Sequence, residues 1–178
     1  MEKNRNIILI GFMGSGKSSI GIRLARRLKR TFVDTDREIE KVTGMSVAEL
    51  FRRHGEVRFR SEEKLMIAKL INQENMVIAA GGSLTFSPEN NQIFKQNGSI
   101  VICLKAPADE IFARVNRKKG SRPLLKKALT VQDVEKLMNE CSDYEKMADF
   151  SVETGGKLQD QIVDEILECL KECMLYAE

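Results

Sequence analysis

The sequence predicts a three-layer α/β/α fold, in which helices cover both faces of a parallel β-sheet. Short apolar strand patterns alternate with longer helical patterns along the chain, which is typical of βαβ units. Several of these strand patterns end at acidic or glycine-rich residues, and ligands bind at the carboxyl ends of strands in open α/β sheets. The chain has 178 residues, of which 42% are hydrophobic. That size and composition fit one globular domain spanning residues 1–178.

The order of elements follows from apolar periodicity and from helix-start signals. Strands are expected where β-branched and other apolar residues form short runs, at 6–10, 31–34, 76–80, 99–104 and, more weakly, 149–153. Helices are expected where apolar residues recur every three to four positions, at 17–29, 60–73 and 108–116 and after Ser46, Ser87 and Thr130, and a last helix carries Leu158, Ile162, Ile166 and Leu170. Ser46 and Glu49 form a capping box, and Pro88 after Ser87 suits a first helical turn.

A phosphate-binding loop joins the first strand to the first helix. Residues 11–18 read Gly-Phe-Met-Gly-Ser-Gly-Lys-Ser, directly after the run Ile7–Ile10. Its glycines let backbone N–H groups surround a polyphosphate, and the following helix adds the positive end of its dipole. Lys17 is expected at the β- and γ-phosphates of ATP, and the Ser18 hydroxyl on Mg²⁺. The candidate nucleotide-binding residues of the loop are Gly14, Ser15, Gly16, Lys17, Ser18 and Ser19. A glycine-rich turn that merely joins strand to helix is the alternative.

Charge and cysteine usage narrow the class of protein. The net charge of +3 does not demand a nucleic-acid partner, and four arginines between Arg23 and Arg30 are expected on a solvated helix face. The apolar runs are far shorter than the roughly 20 residues that span a bilayer, and the N-terminal residues lack a signal-peptide pattern. We therefore expect a cytoplasmic protein without a membrane partner. The four cysteines are expected to be buried, reduced thiols. No unusual apolar surface pattern stands out, so a monomer is expected.

Two acidic residues end the second expected strand, in the sequence Asp34-Thr35-Asp36. Two carboxylates at this position can divide the work, one toward Mg²⁺ and its waters and the other toward a substrate hydroxyl. The alternative is that Asp36 merely caps the helix that follows.

Three further patterns are candidates for substrate contacts. Arg60 is a possible clamp for an anionic substrate group, and Glu63, three residues on, is placed to orient it; an ordinary surface ion pair is the alternative. Gly81 and Gly82 end the third strand, where bare backbone can approach a ligand, unless they only punctuate a loop. Residues 116–123 are polar, basic and broken by Gly and Pro, which predicts a mobile loop.

In combination, the motifs Gly-x-x-x-x-Gly-Lys-Ser, Asp-Thr-Asp, Gly-Glu-x-x-Phe-Arg-x-x-Glu, Gly-Gly and Arg-Pro-Leu-Leu resemble the shikimate kinase family. The resemblance covers about residues 6–170. It implies ATP- and Mg²⁺-dependent phosphorylation of the 3-hydroxyl of shikimate, which gives shikimate 3-phosphate and ADP in aromatic amino-acid biosynthesis. It also implies a P-loop kinase fold like that of nucleoside monophosphate kinases, with a five-stranded parallel sheet of order 2-3-1-4-5. A mobile lid at about 114–127 and a substrate-binding helical segment at about 36–63 belong to that expectation.

The resemblance assigns roles to the candidate substrate residues. Asp34 is implied to help hold the hydration shell of Mg²⁺. Asp36 is implied to bind the substrate hydroxyls and to act as base or orienting group. Arg60 is implied to pair with the shikimate carboxylate, while Gly81 and Gly82 contact the ring through their backbone.

Two arginines receive roles on the nucleotide side. Arg122, in the lid sequence Arg-Pro-Leu-Leu, is implied to close over the phosphates, so that Lys17, Asp36 and Arg122 form the catalytic set. Arg114 is implied to lie against the adenine. Positioning and charge neutralisation carry most of the catalysis in phosphoryl transfer, which fits this set of residues.

The chain departs from the family pattern at two positions. Ser83 replaces a third glycine, and Glu140 stands four residues before Tyr144, where the family has an arginine that helps bind the substrate carboxylate. Losing an arginine–carboxylate contact costs about 1.5–3 kcal/mol, although Lys136 on the same helical face is a partial substitute. The chain is therefore expected to bind shikimate weakly or to accept a related ligand.

Two alternatives to a shikimate kinase remain open. A kinase of the same fold for another hydroxy acid, such as gluconate, fits less well with the Asp-Thr-Asp and Phe-Arg patterns. A non-catalytic, nucleotide-binding relative would fit Glu140, but the set of Lys17, Ser18, Asp34, Asp36 and Arg122 weighs against it.

Overall fold

The computed structural model describes residues 5–81, 88–117, 130–140 and 143–175. Five strands form one parallel sheet in the order β2-β3-β1-β4-β5. The strands are β1 (Ile7–Ile10), β2 (Thr31–Asp34), β3 (Met76–Ala79), β4 (Ile100–Lys105) and β5 (Phe150–Glu153). The predicted fold class and the order 2-3-1-4-5 are confirmed.

Helices connect these strands and flank the sheet. In the part of the chain that the structure describes they are α1 (Lys17–Leu28), α2 (Thr35–Thr43), α3 (Val47–Leu70), α4 (Pro88–Gln96), α5 (Ala108–Arg117), α6 (Val131–Glu140), α7 (Tyr144–Met147) and α8 (Gln159–Leu175). The single turn of α7 was not predicted. Within α3 the backbone breaks at Gly55, where φ is 76° and ψ is −179°, so the helix changes direction before it reaches Arg60.

Helix α2 is capped by Asp34, whereas the alternative role expected for Asp36 was to cap this helix. The helix begins one residue after β2, and Asp34 is its N-cap, because its carboxylate accepts the Arg37 N–H at 3.4 Å. Asp36 lies inside the first turn. Its side chain is therefore not used as a cap. At the start of α3 the predicted capping box is present on one side, since Ser46 accepts the Glu49 N–H at 3.1 Å.

The apolar core lies on both faces of the sheet. Alternate residues of β1 serve the two sides, with Ile8 and Ile10 in one cluster and Ile7 and Leu9 in the other. Helices α2, α3, α4 and α7 contribute to the first cluster, and α1 and α8 to the second. All five strands run parallel, so this packing leaves their carboxyl ends together at one edge of the core.

Two expectations about the surface and the thiols can be compared with the structure. Arg23 and Arg27 on α1 form exposed ion pairs with Asp160 and Asp164 on α8, as expected for a solvated face. Cys103 is buried, and burial raises the pKa of its thiol to about 11. Cys169 and Cys173 are only partly buried, because they lie on α8 near its C-terminus, and Cys141 lies outside the described residues.

Within the described ranges, no helix is long and apolar enough to cross a membrane.

Candidate active site

The phosphate-binding loop leaves the end of β1 and enters α1. The buried Lys17 ammonium donates to the carbonyl oxygens of Gly11 at 2.7 Å and Phe12 at 3.1 Å. Gly16, with φ of 105°, precedes the first residue of the helix. The Ser15 hydroxyl is buried and has no hydrogen-bond partner among the described residues. The loop thus holds the Lys17 ammonium against its own backbone carbonyls.

A hydroxyl and a carboxylate meet where α1 begins and β2 ends. The Ser18 Oγ donates to Asp34 Oδ2 at 2.6 Å. Both are hard oxygen donors of the type that Mg²⁺ prefers. Among the described residues there is no group of three or more His, Cys, Asp and Glu side chains that could hold a metal. Mg²⁺ commonly binds through one or two protein oxygens with phosphates and waters, so this small donor set fits a cation delivered with a nucleotide.

Asp36 and Gly81 face each other across the carboxyl ends of β2 and β3. Asp34 and Ala79 are paired in the sheet, so the residues just beyond them are neighbours. A β-carbon at Gly81 would lie 2.4 Å from Asp36 Oδ1 and 3.4 Å from Glu63 Oε1. Only glycine leaves room for the Asp36 carboxylate in this position. The predicted residues Gly82 and Ser83 lie outside the described residues.

The Arg60 guanidinium lies between two carboxylates on α3. Its Nη1 donates to Glu63 Oε2 at 3.0 Å, and Nε and Nη2 donate to Glu56 Oε1 at 3.3 and 3.1 Å. Its cationic carbon also lies 5.5 Å from the centre of the buried Phe59 ring. Glu56 is largely exposed, so an incoming anion can replace it at the outer side of the guanidinium.

Glu63 is the buried partner of Arg60. Burial raises the pKa of its carboxyl, the adjacent Arg60 guanidinium lowers that pKa, and the nearby negative charge of Asp36 raises it. The structure therefore brings Asp36, Arg60, Glu63 and Gly81 into one cluster, which we call the acceptor cluster. An ordinary surface ion pair is wrong as a description of Arg60 and Glu63, because Glu63 is almost fully buried.

Arg114 connects the phosphate-binding loop to Thr154, the residue just after β5. It donates to the carbonyl oxygen of Gly14 at 3.2 Å and to the hydroxyl and carbonyl oxygens of Thr154, both at 3.1 Å. The buried Thr154 hydroxyl also lies 3.0 Å from the carbonyl oxygen of Ser15. Sequence reasoning missed Thr154, although its position just after β5 was a usable signal.

Most of the predicted lid lies outside the described residues. The predicted lid, about 114–127, overlaps the last turn of α5 at 114–117, and Arg122 lies outside the described residues.

Glu140 is the exposed last residue of α6. Ser19, the last predicted loop residue, is exposed and donates to the carbonyl oxygen of Gly16 at 3.0 Å.

Comparison with known proteins decides the family. The family model described as shikimate kinase matches residues 13–171. The chain belongs to the shikimate kinase family. A shikimate kinase from Pelotomaculum thermopropionicum is 48% identical over 168 residues, which cover 94% of this chain and 96% of the relative. The family resemblance inferred from the motifs is thereby confirmed.

Solved structures agree with membership of the shikimate kinase family. The structure titled shikimate kinase from Acinetobacter baumannii in complex with shikimate has a TM-score of 0.88 and 32% identity, and covers 96% of this chain and 95% of that chain. A gluconokinase from Sinorhizobium meliloti has a TM-score of 0.65 at 14% identity, with 100% of each chain covered. That second likeness concerns the fold alone.

Proposed function

We propose that this protein transfers the γ-phosphoryl group of ATP to the 3-hydroxyl of shikimate, giving shikimate 3-phosphate and ADP. The observation that carries this proposal is the acceptor cluster. A cation, two carboxylates and the side-chain-free backbone of Gly81 meet at the carboxyl ends of β2 and β3, beside β1 and the phosphate-binding loop that follows it. A small acid with several hydroxyls suits this set, because Arg60 pairs with a carboxylate and Asp36 accepts from hydroxyls.

The nucleotide would occupy the loop of residues 11–18. Lys17 would exchange its bonds to the Gly11 and Phe12 carbonyls for the β- and γ-phosphates. Ser18 and Asp34 would hold Mg²⁺ directly or through water, and the cation would supply positive charge to the phosphate oxygens. Backbone N–H groups at the start of α1 would add their dipoles.

Asp36 would bind and orient the acceptor hydroxyl. Its carboxylate lies in the first turn of α2, against the backbone of Gly81. From there it would accept the hydroxyl proton as the bond to phosphorus forms, while Gly81 and Gly82 contact the ring. Glu63 would hold the Arg60 guanidinium so that its outer edge pairs with the substrate carboxylate.

Arg122 and Glu140 enter the proposal from the sequence. Arg122 would close over the phosphates as part of the lid, which would also exclude water from the reaction. Glu140, in place of the family's arginine, would weaken binding of the substrate carboxylate. The protein would act as a cytoplasmic monomer without a nucleic-acid or membrane partner.

An acceptor comparison tests the proposed function. ADP release with Mg²⁺ and ATP is followed in the presence of shikimate, gluconate or neither, and the product is examined by phosphorus NMR. The expected result is release that depends on shikimate, with phosphate on the 3-hydroxyl. Faster turnover of gluconate would favour the other acid, and ADP binding without any turnover would favour a nucleotide-binding relative.

A further inference from the structure

One carboxylate on α5 binds two partners that come from different parts of the chain. Glu110 Oε2 accepts from Arg114 Nη2 at 2.5 Å, and Oε1 accepts from the backbone N–H of Gly156 at 2.7 Å. None of the motifs discussed above includes Glu110. Its side chain is about one-third exposed, so the carboxylate is partly shielded from water where it makes both bonds.

The partners of Glu110 border the phosphate-binding loop. Arg114 donates to the Gly14 carbonyl of that loop and to Thr154, and Thr154 in turn lies within hydrogen-bond distance of the Ser15 carbonyl. The turn after β5 also packs closely against the start of α5 and against Pro107, which precedes it. A β-carbon at Gly155 would lie 2.6 Å from Pro107 Cδ and 3.1 Å from Glu110 Oε1.

We infer that Glu110 is a positioning residue for the nucleotide, which fixes Arg114 and the Thr154–Gly156 turn against the phosphate-binding loop. An arginine without a carboxylate beside it samples many rotamers, and ordering it costs affinity when the ligand binds. With both oxygens of Glu110 engaged, the protein's own contacts supply that ordering. The inference rests on the proposed function only in that the loop of residues 11–18 binds ATP.

The test compares Glu110→Gln with Asp109→Asn. Each variant removes one negative charge from the first turn of α5, but Asp109 is exposed and Glu110 makes both bonds. Binding of Mg²⁺·ADP is measured by titration calorimetry, and KM for ATP, KM for shikimate and kcat by ADP release. We expect Glu110→Gln to weaken ADP binding and raise KM for ATP about tenfold, the size of effect that follows loss of a charge-assisted hydrogen bond. KM for shikimate and kcat should stay at the Asp109→Asn values.

Equal ADP affinities for Glu110→Gln and Asp109→Asn would overturn the inference. So would an increase in KM for shikimate as large as that for ATP, because a merely structural role would affect both substrates. Since Glu110 acts partly through Arg114, Glu110→Gln should weaken ADP binding less in an Arg114→Ala background than in the wild type. If the two substitutions weaken ADP binding independently, so that their free-energy effects add in the double variant, the inference is contradicted. If Glu110→Gln does not fold, Glu110→Asp, which keeps the charge but not the reach, is measured instead.

ADP binding needs no acceptor, so the two proposals fail separately. If the wild type does not phosphorylate shikimate but Glu110→Gln weakens ADP binding, the proposed function is wrong and the positioning role of Glu110 is retained.

Discussion

A β-carbon on Gly81 would lie 2.4 Å from Asp36 Oδ1, so the Asp36 carboxylate keeps its position only while residue 81 has no side chain. The substitution Gly81→Ala should therefore displace the Asp36 carboxylate from the acceptor hydroxyl. We expect kcat/KM for shikimate to fall about a hundredfold, as for misplacement of a reacting group by about 1 Å. ADP affinity, measured by calorimetry, should not change. Unaltered kcat/KM would show that Asp36 does not act from this position.

The Ser18–Asp34 contact leads to a prediction about Mg²⁺. Ser18→Ala removes a hydroxyl that lies 2.6 Å from Asp34. The Mg²⁺ concentration needed for half-maximal ADP release should rise in Ser18→Ala, about tenfold for a lost polar contact to a charged group. A wild-type Mg²⁺ requirement in this variant would contradict the assigned metal position.

Burial of Glu63 has a consequence for stability against pH. Its pKa is raised above the ordinary value of 4.5, mainly by burial. A carboxyl with a raised pKa in the folded protein contributes stability below its unfolded pKa and loses that contribution as the pH rises through the folded pKa. The free energy of unfolding of the wild type, relative to Glu63→Gln, should therefore fall as the pH rises above 4.5. Urea denaturation across this range checks the sign, and a rising difference would be the contrary result.

Glu140 provides a gain-of-function prediction. If it stands where an arginine would pair with the substrate carboxylate, Glu140→Arg should lower KM for shikimate about tenfold or more, the value of a bidentate arginine–carboxylate contact. Glu135→Arg makes the same charge change at another exposed position of α6 and is the matched control. The lower KM should appear in Glu140→Arg alone. A KM that both variants lower equally would indicate general attraction of an anion.

The parts of the site that depend on neighbouring residues in sequence were predictable. The phosphate-binding loop, the strand before it and the helix after it lie within residues 7–28, and the structure has them as expected. Arg60 and Glu63 were paired because a spacing of three places them together on a helix, and the contact is present at 3.0 Å. The sheet order came from the family resemblance, since local patterns do not fix which strands pair.

Contacts between distant parts of the chain were not predictable. Thr154 meets Ser15 across 139 residues of sequence, and Glu110 meets Gly156 across 46. No local spacing marks either pair, because the contacts exist only after β5 joins β4 in the sheet. The cap of α2 was not predicted either. Only Asp36 was considered as a cap, whereas the structure starts the helix directly after β2 and makes Asp34 the N-cap.

We propose that the acceptor cluster binds shikimate for phosphoryl transfer. The decisive experiment is a shikimate titration of ADP release by the wild type, Arg60→Lys and Arg58→Lys. Arg60 contacts Glu63 and Glu56, whereas the exposed Arg58 pairs with Glu62. We expect saturable, shikimate-dependent ADP release, with KM for shikimate raised about tenfold or more in Arg60→Lys alone, because lysine lacks the planar guanidinium fork. ADP release that ignores shikimate, in protein that still binds ADP, would contradict it.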